Sequence, residues 1–338
     1  MTPSPLISVI IKTYNEEAGI ADTIVSIRSA LAYYSHQIIV ADSLSTDRTQ
    51  AIACQLGVTV VSLIDPADRC CGVGPQLGYL FSEGEFLLLL DGDMKLEPEF
   101  VPAALAHMHS HSHPECGGVA GRAEMDDAHS YEFKSRKQRI NQIYPLGESL
   151  WLCGGGLFRR SAIEQIGYLT NHNLHGYEEA ELGIRLRQAG YRLERLDVPF
   201  FFHTSHTMDS LALIRYRWRM GYLFASGELV RSAWGQPYFR EVLSVIRSEL
   251  LFGLYLLALL FCVLLFAAGL PFWLPLLALA PLGGFIALKW LKNRSLQDAL
   301  RSVMNLSIYA AGLVRGLLLP QRSPREAPAH RLIQESLP

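Results

Sequence analysis

Along the first two-thirds of the chain, apolar residues come in short runs separated by polar and helical-period stretches. After Glu249 they form one long block. Leu6 to Thr13 is β-branched and apolar, the composition of a buried strand. A helical pattern follows from about Ala18 to Ala32, then a strand over Gln37 to Ala41 that ends at Asp42. Ser43 to Asp47 reads as a loop with a helix N-cap, the helix running to about Leu56, and Val58 to Leu63 is a third strand. A glycine-rich stretch, Gly72 to Gly78, leads into a further helix, and Phe86 to Leu90 is the fourth strand. Strands alternating with helices predict βαβ units and a parallel sheet. A helix over Pro98 to His109, a strand over Gly117 to Glu124, a basic helix over Tyr131 to Ile143 and a strand over Asp197 to His203 continue the pattern.

The fourth strand runs straight into Asp91-Gly92-Asp93. Acids at the carboxyl end of a strand stand where open α/β sheets place their ligands. Two carboxylates separated by one glycine can share a hard cation such as Mg²⁺ or Mn²⁺, usually with substrate phosphates. The plain alternative is a turn, for which Asp-Gly is suited. A second cluster, Cys153-Gly154-Gly155-Gly156-Leu157, permits close backbone approach to a strand or a ligand. Glu178-Glu179 then opens a helix. Acids suit a helix N-terminus, and Glu181 with Arg185 is an ordinary i,i+4 pair, but adjacent acids repel and offer a place for a general base. Alternating His107, His109, His111 and His113 read as a solvated loop rather than a metal tract. Arg215, Arg217, Arg219 and Arg231 lie on amphipathic sequence suited to phosphates or an anionic surface.

No charged residue occurs among the 39 positions between Glu249 and Lys289. That is length for two short membrane spans, about 250–268 and 272–288, divided at Gly269-Leu270-Pro271. Basic residues flank both ends, so the positive-inside tendency predicts a hairpin with both ends in the cytoplasm. Residues 302–319 suit an interfacial helix or a third span, and residues 321–338 a flexible tail.

Composition adds limits. The 338 residues are half hydrophobic and carry a net charge of -2, which disfavours nucleic acid as a partner. Six scattered cysteines form no zinc spacing or disulfide framework, and no signal peptide is visible. No GxGxxG follows the first strand, which disfavours a dinucleotide site.

Over residues 6–225 the chain resembles the family 2 glycosyltransferases, inverting enzymes of the GT-A fold. The resemblance rests on Tyr14-Asn15-Glu16, on Asp42 with Ser45-Thr46-Asp47, and on Asp91-Gly92-Asp93. It continues in the glycines before Phe158-Arg159-Arg160, and in Glu178-Glu179 with Arg185 and Gly190-Tyr191. It implies an α/β GT-A (nucleotide-diphospho-sugar transferase, Rossmann-like) domain over 1–235 with a mostly parallel central sheet, followed by membrane helices over 236–320. It further implies a nucleotide-sugar donor held by Tyr14, Glu16, Asp42, Gly74, Asp91 and Gly92, and Mg²⁺ or Mn²⁺ on Asp91, Asp93 and His203, with His206 the alternative. The base would be Glu179 or Glu178, and Trp151, Gly155 and Gly156 would face a lipid-linked or membrane-bound acceptor. By the same resemblance the protein would sit in the cell inner membrane with its catalytic domain in the cytoplasm. Pro75-Gln76-Leu77-Gly78 replaces the family's Arg-Asn, and Ile214 stands where the processive Gln-x-x-Arg-Trp motif needs glutamine. A polyprenyl-phosphate acceptor and a nucleotide-binding membrane scaffold are the alternative readings.

Overall fold

The computed structural model describes residues 6–110, 114–125, 140–203, 210–269, 271 and 273–336. The chain forms two compact units, Met1–Met220 with Gln321–Pro338, and Gly221–Pro320.

The first unit is built on a mixed sheet. Strand β1 (Ile7–Thr13) is buried along nearly its whole length, as is β4 (Phe86–Asp91), so both are interior strands whose apolar runs face cover on two sides. With β2 (His36–Asp42), β3 (Thr59–Leu63), β5 (Met94–Leu96), β6 (Cys116–Met125), β7 (Gly147–Glu148), β8 (Gly156–Arg159), β9 (Arg192–His203) and β10 (His330–Gln334), the described sheet runs β10-β3-β2-β1-β4-β8-β6-β9-β5, with β7 on β9. Strands β1 to β4 pair in parallel. Beyond β4 the expected parallel order gives way: β8 pairs antiparallel with both β4 and β6, and β5 antiparallel with β9. An apolar run shows that a strand is buried, but not which way its neighbour points.

Helices α1 (Ile20–Ala30), α2 (Thr49–Gln55), α3 (Val73–Tyr79) and α4 (Phe100–His109) fall near the predicted positions, with α3 a correction. The glycines of residues 72–78 are not a loop before a helix; they are the helix. A Cβ on Gly78 would meet Ile10 Cγ2 at 2.3 Å, and one on Gly74 would meet Lys12 Cβ at 2.8 Å, so the glycines let α3 lie directly on β1. His107 and His109 end α4 rather than entering a solvated loop: His107 Nε2 lies 3.2 Å from Glu194, and the His109 ring packs edge-on against Phe86. His111, His113 and most of the predicted basic helix lie outside the described residues, only α5 (Ile140–Ile143) being seen.

The predicted flexible tail is also corrected. Strand β10 pairs antiparallel with β3, covering an edge that would otherwise expose unpaired backbone. The segment before it is tied down as well. Asn173 and Arg322 exchange side-chain-to-backbone hydrogen bonds, and Arg322 Nη1 lies 3.0 Å from Asp68.

The second unit is helical. Its boundary falls before residue 221, earlier than the sequence suggests, because α9 (Ala225–Ser232) packs on α13 (Leu296–Leu318) through glycines. A Cβ on Gly227 would meet Leu313 O at 2.0 Å, and one on Gly312 would meet Leu223 O at 1.9 Å. Between them lie α10 (Phe239–Val245), α11 (Arg247–Ala267) and α12 (Trp273–Asn293). Helices α11 and α12 are long and apolar enough to cross a membrane, and none of either candidate span is buried. Gly269, with φ +95°, marks the predicted break, while Pro281 stays inside α12. Residues 302–318 belong to α13, with Leu319 its C-cap, and the helix face of Ala310, Gly312, Leu313 and Gly316 is buried.

Candidate active site

The site lies at the carboxyl ends of β1, β2 and β4, where the strand order reverses about β1. Register alone brings several of its residues together: Lys12 is the Cα partner of Asp91 across β1 and β4, and Thr13 that of Asp42 across β1 and β2. The turn after β4 needs its glycine. A Cβ on Gly92 would sit 2.9 Å from both Glu16 Cγ and Thr13 Cγ2, so only glycine lets the Tyr14–Glu16 loop close against the Asp91–Asp93 turn. Thr23 Oγ1 donates to Gly92 O at 2.8 Å and fixes that turn to α1.

Asp42 plays a different part from the one expected. It is fully buried, and its oxygens accept from the hydroxyls of Thr13 and Ser45, the Ser45 N–H and the Gln50 amide. Ser62 Oγ, at 3.4 Å, is a fifth donor, so Asp42 is saturated with protein donors and organises the loop. The loop itself is held by a cation. Arg69 donates to Ser43 O (2.8 Å), Leu44 O (3.2 Å) and Tyr14 Oη (3.1 Å), and its guanidinium stacks 4.1 Å from the Tyr14 ring centroid. That contact combines cation–π attraction with a fixed hydrogen-bond fork.

The acid pair opens α7 (Glu178–Gln188), which follows α6 (Arg160–Ile166) and precedes α8 (Ser210–Arg219). Tyr177, just before it, has φ +63°, an uncommon conformation for a bulky residue and one that clusters at functional sites. The two acids have different partners. Glu178 is buried and its Oε1 lies 3.4 Å from Lys12 Nζ. Glu179 Oε1 accepts the N–H groups of Gly154 (2.8 Å) and Gly155 (3.0 Å). Burial and the neighbouring Glu178 push the Glu179 carboxyl up to about 7, against the lowering effect of Lys12 and the Gly155 N–H. Lys12 Nζ also lies 3.1 Å from Asp91 Oδ1. Burial works against the Lys12 charge, but Asp91 and Glu178 outweigh it and hold the ammonium well above its ordinary value.

The glycine cluster thus holds the second acid of the pair, and Gly155 lines a cavity with Lys12, Asp91, Glu178 and Glu179. Gly154 and Gly155 have φ +77° and +88°, and a Cβ on Gly155 would meet Leu89 O at 2.2 Å. Gly156 is held against Val119 O in the same way, at 2.7 Å. Both Gly155 and Gly156 are buried, and Trp151 lies against Gly183 of α7. Arg195, itself 2 % exposed, donates to Cys153 O at 3.1 Å and steadies the loop. Gly74, expected in the donor site, instead admits α3 onto Lys12. His203 pairs through its backbone with Met94, next to Asp93, and its side chain lies outside the described part; His206 lies outside the described residues.

Among the described residues no three His, Cys, Asp or Glu side chains converge as a complete metal site. Asp91 and Asp93 are a partial oxygen donor set, which fits a hard divalent cation that takes its remaining ligands from a diphosphate and water. The sequence reading missed Lys12, Arg69 and Arg195. A lysine in the last turn-ward positions of an apolar strand was the available signal for the first. Arg195 acts through backbone carbonyls, and Arg69 through two carbonyls and the Tyr14 side chain, contacts between distant segments that leave no trace in a motif.

Residues 8–167 match the family model described as Glycosyl transferase family 2. That match covers just under half of the chain, and the α/β fold with a mixed sheet is GT-A-like. Over 202 residues it is 26% identical to EpsE, a candidate glycosyltransferase of Bacillus subtilis, covering 57% of this chain and 70% of that one. Over 104 residues it is 34% identical to the low-salt glycan biosynthesis hexosyltransferase Agl6 of Haloferax volcanii, covering 30% of this chain and 24% of that one. The mannosyltransferase PcManGT from Pyrobaculum calidifontis, solved with GDP-Man and Mn²⁺, is similar in fold. It has a TM-score of 0.57 and 17% identity, covering 94% of this chain and 88% of that one.

Proposed function

We propose that the protein transfers a sugar from a nucleotide-sugar to a hydroxyl of a membrane-associated acceptor, a lipid-linked saccharide or glycolipid, with inversion, in cell-surface polysaccharide or glycolipid synthesis. The observation that carries this reading is Glu179, held by two backbone N–H groups beside the Asp91 cleft with its carboxyl raised to about 7. A base works best when its pKa lies near the working pH. The acceptor hydroxyl attacks the anomeric carbon opposite the leaving diphosphate while Glu179 takes its proton. Tyr14 and Arg69 line the nucleotide side of the cleft. Asp91 and Asp93 would hold Mg²⁺ or Mn²⁺, which when bound neutralises charge developing on the diphosphate. The names of Agl6, a hexosyltransferase of glycan biosynthesis, and of PcManGT, solved with GDP-Man and Mn²⁺, support the donor class.

Helices α11 and α12 form the membrane hairpin of this reading. Arg240 precedes them and Arg247 opens α11, while Lys289 and Lys292 lie in the last turns of α12 and Arg294 follows it, which favours a cytoplasmic catalytic domain at the inner membrane. Anchoring confines the enzyme to the surface that holds its acceptor.

Asp91→Ala should lose nucleotide-sugar turnover while the protein stays folded in detergent, as judged by its melting temperature. The carboxylate is partly exposed, so its removal leaves no core cavity. Unchanged turnover would end the metal reading.

A further inference from the structure

Lys12 stands between the two acid groups of the site. Its ammonium is 3.1 Å from Asp91 Oδ1 on β4 and 3.4 Å from Glu178 Oε1 on α7. Its position is built rather than accidental: strand register sets it beside Asp91, and α3 closes over its Cβ because residue 74 is glycine. The same Asp91 is one of two carboxylates available to a divalent ion. An ammonium and a divalent cation on one carboxylate repel each other, and the repulsion is stronger away from bulk water. A nucleoside diphosphate reverses that balance, because its negative charges attract both cations at once.

We propose that Lys12 is an internal counter-ion of the donor site, which occupies Asp91 until the diphosphate arrives and so makes divalent metal bind with the donor rather than ahead of it. This rests on the donor-site reading above. On donor binding, Lys12 keeps Glu178 as a partner and gains the diphosphate oxygens, while Asp91 is released to the metal. Metal and diphosphate then raise each other's affinity by a common factor, as linkage requires, and Lys12 is the source of part of that factor. Lys12 is in this sense a positioning residue that sets the order of binding.

The test is Mn²⁺ binding to the full-length protein in detergent, followed by the electron paramagnetic resonance signal of free Mn²⁺. It is run alone and with UDP, GDP, ADP or CDP, for wild type, Lys12→Met and Lys12→Arg. Lys12→Met should bind Mn²⁺ alone on the order of tenfold more tightly than wild type, and its Mn²⁺–diphosphate coupling should shrink by a similar factor. Lys12→Arg, which keeps the charge, should retain the wild-type coupling. Equal Mn²⁺ affinity and equal coupling in wild type and Lys12→Met, with melting temperatures matched, would overturn the proposal. A wild type that binds none of the four diphosphates with Mn²⁺ would instead overturn the donor-site reading itself.

Discussion

Glu179→Gln should lower kcat by roughly 10²- to 10⁴-fold while leaving nucleotide-diphosphate binding near the wild-type level. The amide oxygen can still accept from Gly154 and Gly155, so the loop keeps its shape and only the proton acceptor is lost. The wild-type pH profile carries the same information. With the carboxyl at about 7, kcat/KM should fall as pH drops through neutrality, since the protonated acid cannot take the acceptor's proton. The stability effect has the opposite sense. The folded state holds this proton up to about pH 7, whereas the unfolded chain releases it near the usual carboxylate value. Stability therefore declines as pH rises between those two values, and Glu179→Gln should remove that part of the decline. Loss of turnover in Glu178→Gln instead would put the base one residue earlier. Retained turnover in both would point to an acceptor phosphate that needs no base.

Removing residues 321–338 should unfold or aggregate the catalytic unit. Strand β10 pairs with β3 over His330–Gln334, and Gln334 donates to Cys54 O and Val58 O. Arg322 adds its bonds to Asn173 and Asp68. At about 1 kcal/mol per hydrogen bond the segment contributes several kcal/mol, a large share of a domain's whole stability. Its loss would also open the edge of β3, with Val60 and Val61 fully buried beside it, to pairing with other chains. Thermal unfolding with light scattering reads the outcome. A truncated protein that melts where the full chain does, without scattering, would show the tail to be dispensable.

The legible features share a cause. β4 is an apolar run up to Asp91 and β1 is interrupted only by Ser8 and Lys12, so burial wrote both into the sequence, and the acids at the end of β4 are visible because nothing else charged interrupts that strand. Asp91-Gly92-Asp93 is legible on that ground and Glu178-Glu179 as adjacent acids opening a helix, and the structure brings Asp91 and Glu178 within reach of one lysine. What stayed hidden depends on approach between distant segments. The antiparallel entry of β8 follows from Gly155 turning under Leu89 O, which a row of glycines suggests without naming its partner. Glycines read as ligand contacts, Gly74, Gly155 and Gly156, are glycines because backbone or side chains crowd them. Asp42 sits in a position that the family resemblance assigns to the nucleotide, yet its five donors come from Thr13, Ser45, Gln50 and Ser62, three of these residues on other elements. The tail looked loose because its strand is short, polar at its ends and far in sequence from β3.

The most direct test of the central claim is consumption of nucleotide-sugars by the purified full-length chain in detergent, surveyed across UDP-, GDP-, ADP- and CDP-linked sugars with Mn²⁺, with Mg²⁺ and with chelator. The account predicts that at least one donor is consumed, that chelator stops it, and that Glu179→Gln stops it as well. Binding of a nucleotide-sugar with no consumption under any of these conditions, in the presence of membrane lipid acceptors, would contradict it and leave a nucleotide-binding scaffold.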